Sequence, residues 1–342
     1  MLDFPGIAKG NKEISMKVHK YRSSGKEPYV LKVDEPRNLF GVHADLIQGT
    51  LTASEKVLYL IYSPVWESEK ALLELHNFTG AQWESKKGIF GVSVYPASHA
   101  IAVTERRFII SEDHHLEGIR PTVRSIPFDR VVSIQLGSAL LLGWLAIQFV
   151  GQDQLFSTAL LYTTSSGKEH FHRAIREYRK LFKSIDGHRM LPGRLWAEAW
   201  PKTSFLQMER LQLLKTEEEF PIFLIHSSEK WDTLKRRWRR VPVCIKAKGI
   251  FVATNFGLFY AVDEPPQKPG LLNFGVEVHC LPPEALKSAV VVEKPCQDKT
   301  LLFLRLEIGR NSVTAHWEIP FDANCYQSAA DLVQWTASGF RP

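Results

Sequence analysis

The stretch Ser98–Ser111 reads SHAIAVTERRFIIS and consists of two apolar runs separated by the charged pair Glu105 and Arg106. Short runs rich in isoleucine, valine and phenylalanine, bounded by polar residues, are typical of β-strands. We therefore predict a hairpin of two antiparallel strands that turns at Glu105 and Arg106.

Further runs of the same kind lie on both sides of this hairpin. The predicted strands are Val57–Tyr62, Val123–Phe128, Val131–Leu136 and Leu155–Tyr162. The apolar segment 136–150 is shorter than the ~20 residues that a membrane-spanning helix needs, and we predict two strands around a turn near Leu142 and Gly143. No helix of crossover length separates these runs, so antiparallel connections are expected.

A different period follows the last of these strands. Phe171, Ile175, Tyr178 and Phe182 recur at intervals of four, three and four residues, which predicts an amphipathic helix. Ser166 followed by Glu169 has the spacing of a capping box. The outer faces of this helix are predicted to carry a basic surface, formed by Lys168, His172, Arg173, Arg176, Arg179 and Lys180.

The order of these features repeats in the second half of the chain. EKVLYLIY from Glu55 is answered by EFPIFLIH from Glu219, and IAVTERRFIIS is answered by IFVATNFGLFYA, which aligns Thr104 with Thr254. SIPFDRVVSI at 125–134 is answered by CLPPEALKSAVV at 280–291. A final helix around 326–335 is expected, capped by Asp322 or Asn324. Each half is expected to bury its own apolar interior.

The chain length supports two domains, because 342 residues exceed what one hydrophobic core usually organises. We predict a basic N-terminal extension at 1–48, from which Tyr29–Val33 could add one strand. A first β-rich domain follows at 49–185, a linker with a short helix at 186–213, and a second β-rich domain at 214–342. The first domain carries a long insertion between Val65 and Ser98, and long loops in compact domains are often functional.

Three short motifs resemble the pleckstrin-homology-like (PH-like) superfamily, in particular its bacterial PH-like and GRAM-type branches. They are L-x-x-x-E at 51–55, T-x-x-R-x-I at 104–109 and SIPFD at 125–129. The resemblance covers Leu51–Lys183 and, less fully, Leu214–Gly339. It implies a mainly β (α+β) fold of two tandem bent antiparallel sheets or barrels, each closed by a C-terminal helix. Members of the superfamily bind phosphoinositides, peptides or protein surfaces.

Charge and cysteine content narrow the setting of the protein. Lysine and arginine number 43 against 37 aspartate and glutamate, a mild excess that is compatible with many partners. The four cysteines form no C-x-x-C pair, and the N-terminus has no apolar run of the secretory kind. A cytoplasmic protein is expected, with peripheral membrane attachment as an option.

The segment 229–248, EKWDTLKRRWRRVPVCIKAK, combines cations with two tryptophans and is expected to be a loop between the first two strands of the second domain. Guanidinium groups bind phosphate oxygens and indoles favour membrane interfaces, so this segment is the candidate anion or lipid site. The candidate residues are Lys230, Trp231, Lys235, Arg236, Arg237, Trp238, Arg239 and Arg240. In the PH-like resemblance, Lys230, Lys235 and Arg237 loosely match the K-x(n)-[KR]-x-R pattern of lipid-binding relatives. Alternatively, the tryptophans cover one end of the domain and the arginines are solvated or paired.

Motifs for catalysis are absent from the sequence, which has no G-x-S-x-G, no phosphate-binding loop and no H-E-x-x-H. His114 and His115, with Asp113 and Glu117, form a compact polar cluster, but adjacent residues of an extended loop point apart, so no metal site is expected. We predict a non-catalytic binding protein without cofactor or metal, which docks a partner protein through the 65–98 insertion and open sheet edges. The partner could also be a second copy of this chain, bound through the same sheet edges. The alternative is a peripheral membrane module that uses the 229–248 segment, whereas nucleic-acid binding is not expected.

Overall fold

The computed structural model describes residues 30–65, 68–69, 83–88, 91–114, 119–139, 142–182, 196–236, 239–264, 275–296 and 299–338. The fold is mainly β, and all strand pairings are antiparallel, as the sequence predicted. No helix within these ranges combines the length and the apolar character that crossing a membrane requires.

In the described residues, the first part of the chain contains eleven strands and two α-helices. The strands are β1 (Leu31–Lys32), β2 (Val57–Ser63), β3 (Ser68–Glu69), β4 (Trp83–Gly88), β5 (Gly91–Pro96), β6 (Ser98–Thr104), β7 (Arg107–Asp113), β8 (Thr122–Pro127), β9 (Val131–Ala139), β10 (Leu142–Gly151) and β11 (Gln154–Thr163). The helices are α1 (Val42–Thr50) and α2 (Thr164–Arg179).

Among the residues that the structure describes from Trp196 onward, there are nine strands and three α-helices. The strands are β12 (Pro221–Ser227), β13 (Lys230–Arg236), β14 (Arg239–Lys246), β15 (Gly249–Thr254), β16 (Gly257–Asp263), β17 (Gly275–Leu281), β18 (Leu286–Cys296), β19 (Lys299–Arg310) and β20 (Val313–Phe321). The helices are α3 (Trp196–Ala199), α4 (Phe205–Leu214) and α5 (Tyr326–Ala337).

The same succession of elements occurs twice. We call residues 42–179 the first unit and residues 205–337 the second unit. Each begins with a helix and one strand, which are followed by inserted strands: β3–β5 in the first unit and the β13–β14 hairpin in the second. Three further strands then lead to a 3₁₀ turn at Phe128–Arg130 or Pro283–Ala285. Three more strands and a closing helix complete each unit. The repeat predicted from the aligned motifs is therefore present in the order of elements.

One seven-stranded sheet runs through both units, in the order β11-β10-β9-β17-β16-β15-β12. Strand β9 of the first unit pairs with β17 of the second, with Ile134 opposite Cys280 and Ser138 opposite Val276. A five-stranded sheet, β1-β2-β6-β7-β8, and a three-stranded sheet, β18-β19-β20, flank it. No sheet in the described part of the chain closes into a barrel.

The interior is shared at the junction, in contrast to the expectation that each half buries its own core. The largest buried cluster contains Phe108 and Tyr178 from the first unit together with Leu214, Phe259 and Val278 from the second. The physical reason is the β9–β17 pairing, which places apolar side chains of both units on one continuous sheet face. The four predicted ranges remain a prediction, but a shared interior joins the two halves.

Several local predictions are confirmed. The hairpin turns at Glu105 and Arg106, between β6 and β7. The apolar segment 136–150 lies on two paired strands, although β9 ends at Ala139 and β10 begins at Leu142, so the turn lies slightly before the predicted one. The short strand expected near the N-terminus is β1, which pairs with β2.

The predicted N-terminal extension and the predicted linker both contain packed helices. Helix α1 lies mostly within the predicted N-terminal extension, and its Ile47 is fully buried. Helix α4 lies in the predicted linker except for its last residue, Leu214, and its Leu211 and Leu214 are fully buried. Helix α4 confirms the short helix predicted in the linker, whereas no helix was predicted at the position of α1.

The predicted helix caps are wrong. Helix α2 begins at Thr164, so Ser166 lies inside it, and the Ser166 hydroxyl accepts a hydrogen bond from the Val30 amide at 2.9 Å. Before α5, neither Asp322 nor Asn324 caps the helix through its side chain. The side chains of Ser166 and Asp322 each bind a group that is distant in sequence instead of the backbone of their own helix. The contacts of Asp322 are described below.

Candidate functional site

The 229–248 segment forms a β-hairpin rather than the predicted loop. Strands β13 and β14 pair with each other and belong to none of the other sheets that the described strands form. The alternation of Val241, Val243 and Ile245 with other residues has the period of two that suits a strand. The candidate anion site therefore lies on a separate two-stranded arm.

The register of this arm places like charges opposite each other at its tip. Lys235 pairs with Arg240 and Arg236 with Arg239 across the hairpin. Like charges directly opposite on antiparallel strands destabilise the pairing, and a bound anion removes that repulsion. The side chains of 234–241 lie outside the described residues. This holds for the predicted site residues Lys235, Arg236, Arg237, Trp238, Arg239 and Arg240.

The remaining candidates, Lys230 and Trp231, lie at the base of the arm. Six residues separate Lys230 from Arg236, which corresponds to about 20 Å along a strand. The indole Nε1 of Trp231 donates a hydrogen bond to the Glu229 carboxylate. Trp231 is half-buried and pairs with Cys244. The predicted set is thus split between the base and the tip of the hairpin.

The base of the arm is attached to the end of the second unit. Lys246 is buried, and its ammonium group contacts the Asp322 carboxylate, which also accepts a hydrogen bond from the Ser228 amide at 2.9 Å. Burial acts to raise the pKa of Asp322, but the hydrogen bonds from Lys246 and Ser228 outweigh it, and the pKa lies below its ordinary value. The arm is therefore held at its base by a charged contact.

Each unit contains a carboxylate in an equivalent position, and the first is Glu55. Its two oxygens accept hydrogen bonds from Nε of Arg107 at 2.8 Å and from Nη2 at 2.5 Å. The Arg107 guanidinium also donates to the Thr50 carbonyl at 3.0 Å, and the Thr52 amide donates to Glu55 at 3.4 Å. These contacts, chiefly the Arg107 hydrogen bonds, lower the pKa of Glu55 to about 2.

The second carboxylate, Glu219, has the same surroundings but takes its arginine from the first unit. Nη1 and Nη2 of Arg179 donate to the two carboxylate oxygens at 2.9 and 2.5 Å, and Nη1 donates to the Leu214 carbonyl at 2.9 Å. The Thr216 amide donates to Glu219 at 2.9 Å. The Arg179 guanidinium stacks 3.9 Å above the Phe259 ring. The two side chains are 1% and 0% exposed.

A glycine explains why the second arginine comes from another element. Arg107 follows Thr104 by three residues, and the residue three after Thr254 is Gly257. Gly257 has a φ of +143°, and a Cβ there would lie 2.9 Å from the Leu281 carbonyl oxygen. A side chain at this position would be strained, and Arg179 at the end of α2 supplies the guanidinium instead. The hydroxyls of Thr104 and Thr254 donate to the carbonyls of Arg107 and Gly257 at 3.0 and 2.9 Å, so the threonines are equivalent as well.

The predicted basic surface on α2 is smaller than expected. His172 and Arg179 are buried, so their assignment to an outer face is wrong. The other charges are mostly paired: Lys168 with Glu209 at 2.5 Å, Lys180 with Glu177 at 2.8 Å, and Arg173 with Glu169. The helix packs against β2, β10 and β11 of the first unit and also against α4 of the second, so more of its circumference is buried than one sheet face would cover.

The histidine cluster gives no metal site in the part that is described. Nε2 of His114 lies 3.6 Å from a Glu112 oxygen, and no group of three or more potential ligands occurs among the described residues. His115 and Glu117 lie outside those residues. Sequence reasoning missed another cluster, formed by His226, Asp322 and Cys325, because His226 lies about 100 residues before the other two and no local motif marks them.

Comparison with known proteins adds no assignment. No protein-family model matches the chain, and no curated protein is significantly similar to it.

Proposed function

We propose that this protein is a non-catalytic, cytoplasmic scaffold of two tandem PH-like units that docks a partner protein. The observation that carries the proposal is the junction, where β9–β17 pairing and the buried Arg179–Glu219 pair hold both units in one relation. A scaffold needs a fixed relation between its two units in order to present a composite surface. Two domains that bind ligands independently would not need that fixed relation.

The open edge of the seven-stranded sheet is the proposed docking surface. Strand β11 has β10 as its only sheet neighbour among the described strands, and its first four residues, 154–157, are exposed. The strand QLFSTALLYT contains no charged residue and no proline, which are the residues that protect natural sheet edges. The apolar residues Leu155 and Phe156 on this strand are 38% and 39% exposed. A partner strand would find unprotected backbone groups and an apolar anchor there.

The opposite edge is less available. Strand β12 begins at Pro221, and its His226 carbonyl accepts a hydrogen bond from the Asp322 amide at 3.0 Å. The segment before α5 therefore covers part of this edge. The contrast between the two edges directs the partner to β11.

Phe156→Lys tests the docking surface, because it adds a charge to the open edge at an exposed position. We expect affinity capture of the intact protein at native expression to recover the partner with the unchanged chain. With Phe156→Lys, the amount of recovered partner should fall at least about tenfold. Quantitative mass spectrometry of the captured proteins measures the loss.

The matched control is Phe205→Lys, which makes the same change at a residue that is 73% exposed on α4. It should leave capture unchanged. Equal recovery with Phe156→Lys and the unchanged chain would contradict docking at β11, and loss with both variants would point to a general effect of the new charge.

An anionic membrane is the second candidate, favoured by the opposed like charges at the tip of the β13–β14 arm. Replacing Arg236, Arg237, Arg239 and Arg240 by Ser is expected to abolish sedimentation with vesicles that contain anionic lipid and to leave partner capture intact. Replacement of the same four residues by Lys keeps the charge and should keep vesicle binding. Binding that is equal for the Ser and Lys variants would remove the membrane candidate.

A further inference from the structure

Three side chains meet where the second unit ends. Sγ of Cys325 lies 2.9 Å from Nδ1 of His226, and Nε2 of the same ring lies 3.9 Å from Oδ2 of Asp322. A thiol, an imidazole and a carboxylate are therefore in series, with the imidazole between the other two. This is the order of nucleophile, base and orienting group in thiol chemistry.

The backbone around the sulfur favours negative charge on it. Cys325 is the residue directly before α5, a helix of twelve residues, and a helix N-terminus stabilises a thiolate. The backbone amide of His226 also donates toward Sγ, with an N···S distance of 3.5 Å. Two independent sources of positive potential thus converge on the same atom.

The imidazole is arranged to take the thiol proton. Nδ1 faces the sulfur, so the neutral ring that accepts there carries its hydrogen on Nε2, on the side of Asp322. Burial is the main cause that lowers the pKa of His226; Lys202 and Lys246 act in the same direction and Asp322 in the opposite one. The Asp322 carboxylate is itself fixed by Lys246 and the Ser228 amide, so the ring has a stationary anion on its far side.

We propose that Cys325 is a reactive thiol that a small peroxide oxidises to a sulfenic acid. The thiol proton moves to Nδ1 of His226 while a sulfur electron pair forms a bond to one peroxide oxygen and the O–O bond breaks. The departing hydroxide takes the proton from the imidazolium and leaves as water. Sulfur loses two electrons, and the peroxide is reduced. This modification site goes beyond the scaffold function and does not depend on it.

Two other cysteines of the chain provide internal controls. Cys325 is only 4% exposed, whereas Cys244 is half-buried, so exposure alone would make Cys244 the faster thiol. Burial raises the pKa of Cys244, and it raises the pKa of the buried Cys280 to about 12. The proposal therefore predicts that Cys325 reacts faster than Cys244, although Cys244 is the more exposed of the two.

The test treats the intact protein with hydrogen peroxide and dimedone, and in parallel with iodoacetamide, and resolves each cysteine by peptide mass spectrometry. We expect Cys325 to react at least about tenfold faster than Cys244, while Cys280 stays unmodified. A Cys244 rate equal to or above that of Cys325 would overturn the proposal. Equal rates for Cys325 and Cys280 would also overturn it, because they would show that reaction follows unfolding.

His226→Gln isolates the role of the imidazole, since glutamine keeps a hydrogen-bonding side chain but cannot take a proton. The Cys325 rate is expected to fall at least about tenfold and the Cys244 rate to stay unchanged. An unchanged Cys325 rate in a folded variant refutes activation by His226. If circular dichroism shows that the variant does not fold, the rate order in the unchanged protein decides alone.

Discussion

Arg179→Met should lower the free energy of unfolding by about 3–5 kcal/mol, the range for breaking a buried ion pair by removing one partner. The variant leaves the Glu219 carboxylate, which is 0% exposed, without a countercharge and leaves the Leu214 carbonyl without its donor. Urea denaturation followed by circular dichroism measures the change.

The first unit provides the matched control. Arg107→Met removes the equivalent guanidinium from Glu55, but the Arg107 side chain is 21% exposed and solvent reaches the site. We expect a smaller loss, about 1–2 kcal/mol. The double variant Arg179→Met with Glu219→Gln removes both buried charges and should recover at least half of the loss. If Arg179→Met lowered the free energy of unfolding by less than Arg107→Met does, the junction would not depend on the Arg179–Glu219 pair.

Mild acid should destabilise the protein, because His99 and His172 are buried in neutral form. Burial is the main cause that lowers the pKa of each to about 3 from an ordinary 6.5. A depressed histidine pKa means that the unfolded chain binds more protons, so stability is complete above about pH 6.5 and falls as the pH drops toward 3. Between pH 6.5 and 5 the loss should be about 2 kcal/mol for each histidine.

The double variant His99→Leu with His172→Asn should flatten this dependence, and denaturation at several pH values measures it. Asparagine at 172 can still donate to the Lys168 carbonyl, which the ring Nδ1 contacts at 2.6 Å. Glu55, with its pKa near 2, contributes stability that is lost only below about pH 4.5, so this carboxylate does not mask the histidine window. His316→Asn, at an exposed position, should leave the slope unchanged, and a flattened slope there would contradict the assignment.

The strands and the repeat could be predicted because their signals are local. The SHAIAVTERRFIIS hairpin carries its own turn, and the helix ending at Arg179 carries its own period. The pairing of β9 with β17 could not be predicted in this way. It joins residues about 140 positions apart, and no property of Ile134 or Cys280 names the other as its partner.

The candidate site divides along the same line. The basic composition of the 229–248 arm was evident from sequence, but its hairpin register, which sets Arg236 opposite Arg239, required the structure. The role of Arg179 was hidden because its charge suggested an outer helix face, and only Gly257 at the place of Arg107 hinted that an arginine must arrive from elsewhere. Contacts that depend on tertiary position leave little trace in a local pattern.

The six residue pairs between β9 and β17 bear on what happens if the chain is cut between its halves. Each fragment would carry one strand, β9 or β17, whose backbone hydrogen-bonding groups are complementary to those of the strand in the other fragment. Separately produced halves should therefore recombine without a covalent link, in the manner of strand complementation, and each half alone would be the other's best ligand.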